Sequence, residues 1–168
     1  SVSSTNYMFD NAGSFTGILG AWDVASVATA SGMFRDCPNL NTDSLDGWDT
    51  AQMGLNALGF FLQGSTSFNG DLSGWDVSRV TGTYSMFEGA TVFDRDLGNW
   101  DVGQVGRLGR MFEGTPFDRN LSAWDTARVT DMRYMFFNAT SFNGDVSGWD
   151  IGLLQYAEHM FGSAVSFN

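Results

Sequence analysis

The sequence predicts an α/β repeat solenoid with one short parallel strand and one short α or 3₁₀ helical turn per coil of 25 residues. Three observations predict it. A Trp-Asp pair recurs six times, and a Met-Phe-type doublet recurs seven times at the same period. Within each unit the apolar spacing changes character from one half to the other. A unit this short cannot bury an apolar face alone and must stack on its neighbours.

Cut at the aromatic or Leu ahead of each Trp-Asp pair, the chain gives six units: 15–39, 40–67, 68–92, 93–116, 117–141 and 142–166, with partial units at both ends. Their lengths are 25, 28, 25, 24, 25 and 25 residues. The pairs are Trp22-Asp23, Trp48-Asp49, Trp75-Asp76, Trp100-Asp101, Trp124-Asp125 and Trp149-Asp150. The doublets are Met8-Phe9, Met33-Phe34, Phe60-Phe61, Met86-Phe87, Met111-Phe112, Met135-Phe136 and Met160-Phe161. Unit 40–67 carries three extra residues, spread over three places, and lacks the Met. A Trp-Asp propeller blade is excluded, because its four strands need about 40 to 45 residues.

The second half of each unit reads as helical. Val129, Met132, Met135 and Phe136 lie at offsets 0, 3, 6 and 7, and Val27, Ala30, Met33 and Phe34 repeat the stripe. Gly89, Gly114, Asn11 and Asn138 follow the doublet and suit the left-handed end of a helix. Gly106 and Gly109 make a 3₁₀ turn equally fitting in their unit. The first half, "FNGDLSGWDV" in unit 68–92, is the expected strand, with Leu72, Leu97, Leu121 and Val146 paired from coil to coil. Leu and Trp lie three apart, so a bend before the Trp is needed to turn both inward.

These features give a structural ladder. Trp22, Trp48, Trp75, Trp100, Trp124 and Trp149 stack as one column, each indole contributing up to about 4–6 kcal/mol when its roughly 150–250 Å² is buried. Phe34, Phe61, Phe87, Phe112, Phe136 and Phe161, with their Met neighbours, line the other side of the core. Asp23, Asp49, Asp76, Asp101, Asp125 and Asp150 start the next turn by accepting backbone N–H bonds.

Composition narrows the function. The chain has no Lys, eight Arg and 19 acidic residues, for a net charge of -11. Such a surface repels nucleic acid and anionic membrane. No apolar run approaches the ~20 residues of a membrane span. The start, "SVSSTNYMFD", lacks the features of a signal peptide, which fits a removed leader. Cys37 is the one cysteine, in a slot that elsewhere holds Ala, so it reads as a small buried residue and forms no internal disulfide. His159 is the one histidine, in a slot of tolerant polar residues, and is expected at the surface. With the usual bases and nucleophiles nearly missing, the expectation is that the chain is not an enzyme and carries no cofactor.

The remaining candidates are charged rows. Asp71, Asp96 and Asp145, with Asp43 and Asn120 in the same row, are the candidate Ca²⁺ ligands, although they match no EF-hand or nonapeptide pattern. Arg95 and Arg119 share one slot, Arg79 and Arg128 another, and both flank acidic rows as expected for ion pairs between coils. Two sequons, at Asn120 and Asn138, read as chance matches.

The unit "FNGDLSGWDVSRVTGTYSMFEG" resembles the short repeats catalogued in mycoplasma lipoproteins and grouped with BspA-like leucine-rich surface proteins. The pattern extends over residues 7–168. The resemblance implies a right-handed, leucine-rich-repeat-like solenoid in a secreted or cell-surface setting, and supplies no catalytic residues. The chain opens and closes within a unit without visible polar caps, as expected of a piece of a longer array or of ends that meet other subunits. The expected role is that of a non-enzymatic extracellular structural or adhesive segment, self-assembling end to end or contacting surface proteins or glycans. Binding of a glycan or protein along the Asp rows, with Ca²⁺, is the alternative.

Overall fold

The structure is a computed structural model that describes residues 1–40 and 45–168. Asp43, assigned above to the second acidic row, lies outside the described residues. Each 25-residue unit is one coil, and successive coils are joined by backbone hydrogen bonds between residues about one period apart, such as Phe9 N–H to Met33 O at 2.9 Å and Phe136 N–H to Met160 O at 2.8 Å.

Each coil is built from turns. In coil 68–92, the N–H groups of Trp75, Val80, Met86, Glu88 and Ala90 each donate to the carbonyl three residues earlier, at 2.9–3.3 Å. In its second half the donors alternate. Ser85, Phe87 and Gly89 donate to Gly109, Met111 and Glu113 of the next coil at 2.8–3.0 Å, while Met86, Glu88 and Ala90 close turns within their own coil. Every other N–H thus holds the neighbour and the rest fold the corner, which satisfies the backbone without a continuous ladder.

The α/β architecture expected from the sequence, with a strand and a helical turn in each leucine-rich-repeat-like coil, is therefore overturned. Among the described residues there is no helix and no sheet; six residues, Ser4, Thr29, Gly82, Arg107, Asp131 and Tyr156, form isolated parallel bridges. The reason lies in the backbone at the middle of the supposed helix. The residue before the doublet (Tyr7, Gly32, Ser85, Arg110, Tyr134, His159) has φ of 54–60°, in the left-handed region. One such residue ends a right-handed helix. A second left-handed residue follows four positions later, at Asn11, Asp36, Gly64, Gly89, Gly114, Asn138 or Ser163, with φ of 53–70°. Apolar residues three apart, read as a helix face, are instead the inward corners of successive turns.

The expected strand is missing for a different reason: side chains, more than backbone, join coils in that half. The Oδ1 of Asn69 accepts the N–H of Asp94, Asp94 that of Asp118, Asp118 that of Asn143 and Asn143 that of Asn168, at 2.8–3.0 Å. The signal for this row was present as Asn or Asp after the leading Phe from Phe68 onward, yet the sequence reading assigned it no role. Each indole does the same from the other side. The Nε1–H of Trp48, Trp75, Trp100, Trp124 and Trp149 donates to Leu19, Leu45, Leu72, Leu97 and Leu121 of the preceding coil at 2.8–3.0 Å.

The core is two columns of phenylalanine beside the indoles. Phe87, Phe112, Phe136 and Phe161 stack with centroids 5.5–5.7 Å apart. From Phe87 onward the leading Phe of the next unit lies face to face on the doublet Phe, as in Phe87–Phe93 at 4.0 Å and Phe136–Phe142 at 3.8 Å. Such pairs add about 0.5–1.5 kcal/mol beyond area burial.

Coil 40–67 breaks the register. The left-handed φ of 58° falls on Phe60. Phe34 N–H donates to Phe61 O, as Phe87 N–H donates to Met111 O, and Leu62 N–H donates to Met86 O. Phe61 therefore occupies the Met position and Leu62 the doublet-Phe position, one residue off the sequence assignment. The extra residues fall in two places, one between Leu40 and Trp48 and two between Met53 and Leu58. The second insertion forms a bulge with Asn56 at φ 47° and Leu55 exposed, and the bridge row is interrupted there. The Phe61 ring turns edge-on to Phe34 and to Trp75, at 5.4 Å from each.

Candidate binding groove

The recurring polar residues are occupied inside the repeat. The Oδ1 atoms of Asp23, Asp49, Asp76, Asp101, Asp125 and Asp150 accept the N–H two residues ahead at 2.8–3.1 Å. Asp71, Asp96 and Asp145 make the same turn at 2.8–2.9 Å, and so does Asn120. Backbone N–H bonds from Ser73 and Ser147 hold the carboxyls of Asp71 and Asp145 below the usual range, and the Ser78 hydroxyl does so for Asp76. Among the described residues no three His, Cys, Asp or Glu converge as a metal site.

Of the arginines expected to pair between coils, Arg119 does so, with Asp94 at 2.5 Å. Arg95 donates to the Asn69 carbonyl and Arg79 to the Gln52 side chain. Neither they nor Arg128 form an ion pair among the described residues. A further pair between coils, Arg35–Asp10 at 2.7 Å, was not singled out from sequence. Cys37 is fully buried, its thiol pushed up by burial, with Sγ 2.9 Å from the Phe9 carbonyl. His159 is exposed and stacks on Tyr134 at 5.1 Å. Both sequon residues, Asn120 and Asn138, are exposed. The doublet Phe34, Phe87, Phe112 and Phe136 and the indoles of Trp48, Trp75, Trp100 and Trp124 are buried, whereas Trp22 is 38% exposed and Trp149 and Phe161 are half-buried.

One concave feature of the surface lies where the repeat imposes no residue type. A groove of about 690 Å³ runs across six coils, over the face that carries the bridge row. Its floor includes Gly59 and Gly82. A Cβ on Gly82 would meet the Asn56 Oδ1 at 2.5 Å, so glycine there leaves room for the Asn56 side chain over the groove. Its walls carry Phe60, Tyr84 and Tyr156, the guanidinium groups of Arg107 and Arg133, the carboxylate of Asp131 and the amides of Asn56 and Gln155.

These walls are pre-set. Arg133 donates to both oxygens of Asp131, at 3.0 and 2.7 Å, and lies over the Tyr156 ring at 4.8 Å. Burial alone would raise the Asp131 carboxyl, but the bonds from the Arg133 side chain and backbone, with the charges of Arg133 and Arg107, outweigh it and hold the carboxyl below its usual range. The Tyr84 hydroxyl accepts from Arg110 Nε at 3.1 Å, and Phe60 packs edge-on to the Tyr84 ring at 5.6 Å. Apart from Phe60, read there as half of a doublet, none of these residues stood out in the sequence. Their positions differ from unit to unit, and only stacking brings them to one face.

No described helix is long and apolar enough to cross a membrane. No curated protein and no solved structure matches the chain. One family model matches twice, over residues 3–116 and 96–168, and the two matches together span nearly the whole chain. Through those repeats the chain belongs to the family described as Mycoplasma protein of unknown function, DUF285.

Proposed function

We propose that this chain is a non-enzymatic extracellular segment with a structural and adhesive role, a stack of coils that holds a binding groove fixed at a cell surface. One observation carries the reading. The residues that recur are spent on stacking and on local turns, as with Trp100 Nε1 on Leu72 and Asp76 on Ser78, while the side chains that vary gather around one groove. Rigid elements that display a variable face serve recognition rather than turnover. The buried thiol of Cys37, and a His159 flanked by the Tyr134 and Phe137 rings, favour binding over catalysis. The resemblance of the repeats to those of mycoplasma lipoproteins and BspA-like surface proteins supports the cell-surface setting. The alternative, a Ca²⁺-dependent contact along the Asp rows, has less in its favour, because each of those carboxylates already accepts a local N–H.

Beads coated with the 168-residue chain test this against cultured cells and extracellular matrix. Adhesion is expected for the native chain and is reduced by Tyr84→Ala with Tyr156→Ala. Bare-bead levels for the native chain would refute the reading. Electron microscopy of the same preparation distinguishes groove-mediated adhesion from self-assembly, since filaments blocked by Phe9→Asp or Phe161→Asp would shift the role to the ends of the stack.

A further inference from the structure

We propose that the groove binds an acidic oligosaccharide, with Arg107 taking the carboxylate and the Tyr84 and Tyr156 rings lying against the sugar. The inference deepens the adhesive reading and rests on it for its biological setting. It starts from charge. The chain carries 19 acidic residues against eight arginines, so cations are scarce and acids are at hand to pair them. Yet the groove holds two guanidinium groups and one carboxylate. Asp131 is taken by Arg133 through two side-chain bonds, and it also accepts the Arg133 N–H at 3.1 Å. Arg107 is exposed and makes no ion pair or side-chain hydrogen bond among the described residues. The groove therefore presents a positive centre in a strongly negative molecule. Asp131 is bonded to Arg133 and reaches Arg107 only through its charge, so a ligand carboxylate meets a guanidinium whose hydrogen-bond donors no protein carboxylate among the described residues has taken.

The surroundings specify a sugar. Tyr84 is held by Arg110 and Phe60, and Tyr156 lies under Arg133, so both rings are oriented before any ligand arrives. Fixed aromatic faces offer apolar area to the C–H face of a pyranose. The side-chain amides of Asn56 and Gln155 make no hydrogen bond among the described residues, which leaves donors and acceptors for hydroxyls. The volume of about 690 Å³ lies within the range of small-ligand sites.

An extended peptide is disfavoured by the floor. Added strands need unpaired backbone groups, but the N–H groups of Thr83, Leu108 and Met132 are bonded to the carbonyls of Arg107, Asp131 and Tyr156 at 2.8–3.1 Å. A docked helix needs a continuous apolar trough, which glycine, Arg107 and Asp131 interrupt.

The test is an NMR titration of the isotope-labelled chain with hexagalacturonate and with its methyl ester, and with sialyllactose against lactose. The acidic sugar of at least one pair should shift the amides of Gly82, Arg107 and Tyr156, and bind about tenfold or more tightly than its neutral partner. Arg107→Ala should remove that difference with the fold intact by near-UV circular dichroism, and Arg107→Lys should restore part of it. The proposal is overturned if neither acidic sugar shifts these amides, if neutral and acidic forms bind alike, or if Arg107→Ala leaves binding unchanged. A peptide that binds the groove more tightly than either sugar also overturns it. If the sugars fail while coated beads still adhere, the ligand class is wrong and the adhesive reading stands. Sugar binding without bead adhesion gives the reverse.

Discussion

The indole Nε1–H of Trp124 donates to the Leu97 carbonyl at 2.9 Å, 27 residues earlier, and both residues are buried. The same bond in five consecutive coils explains why the position is Trp and not another large apolar residue. The indole fills the core and also gives a second bond to a carbonyl that already accepts the Trp N–H of its own coil, as Leu97 O does from Trp100 at 3.1 Å.

Trp124→Phe should therefore cost about 1–2 kcal/mol in urea unfolding, from lost area and one lost buried hydrogen bond, while the Leu97 carbonyl keeps the Trp100 N–H. Trp22→Phe, at a half-exposed indole, should cost less than about 1 kcal/mol. Equal losses would show that the indole bond contributes nothing.

The left-handed positions give two changes of opposite sign. Ser85 is fully buried at φ 55° with its Oγ lacking a partner among the described residues, and Gly32 fills the same position in another coil. Ser85→Gly removes both costs and should stabilise by about 1 kcal/mol. Gly114→Ala, at φ 69° with open space around it, should destabilise by about 1 kcal/mol through conformation alone. Gly74→Ala is the control, since that position has open space and no left-handed φ, and should be neutral or slightly stabilising.

The register of coil 40–67 is open to a double-mutant cycle. Leu62→Phe alone crowds a Phe61 ring already packed on Phe34 and Trp75, and should cost about 1–3 kcal/mol. Adding Phe61→Met recreates the Met-Phe doublet of the other coils, and the pair should couple by at least about 1 kcal/mol. Additive effects would mean that Phe60-Phe61 is the true doublet.

Acid should weaken the fold. The carboxyls of Asp71 and Asp76 lie below the ordinary value of 3.8, lowered by the Ser73 N–H and by the Ser78 hydroxyl respectively. A depressed folded value means stability present above the unfolded value and lost as pH falls through the folded one. Glu113, raised by burial, works in the opposite sense and slightly offsets the gain as pH rises through its range. The melting temperature should climb from pH 2 to about pH 5 and then flatten. Asp76→Asn keeps the turn, as Asn120 does in its own row, and should shallow the acid limb. Asp76→Ala should lose about 0.5–1 kcal/mol at neutral pH.

The sequence by itself determined the period, the stacking it demands and the family, because identical neighbours along a stack require the same residue at the same place in every coil. It left the backbone undecided. Spacings of three suit a helix face and a chain of turns equally, and Tyr134, Arg110 and His159 carry no local signal for a left-handed φ. That conformation is imposed by bonds to the next coil, which exist only after stacking. The shift of Phe61 and Leu62 was hidden for the same reason, since two adjacent aromatics look like a doublet until the neighbouring coils fix their register. The groove was the least legible part. Arg107, Asp131, Tyr84 and Tyr156 sit at non-recurring positions, and they share a face because one coil is laid directly on the next.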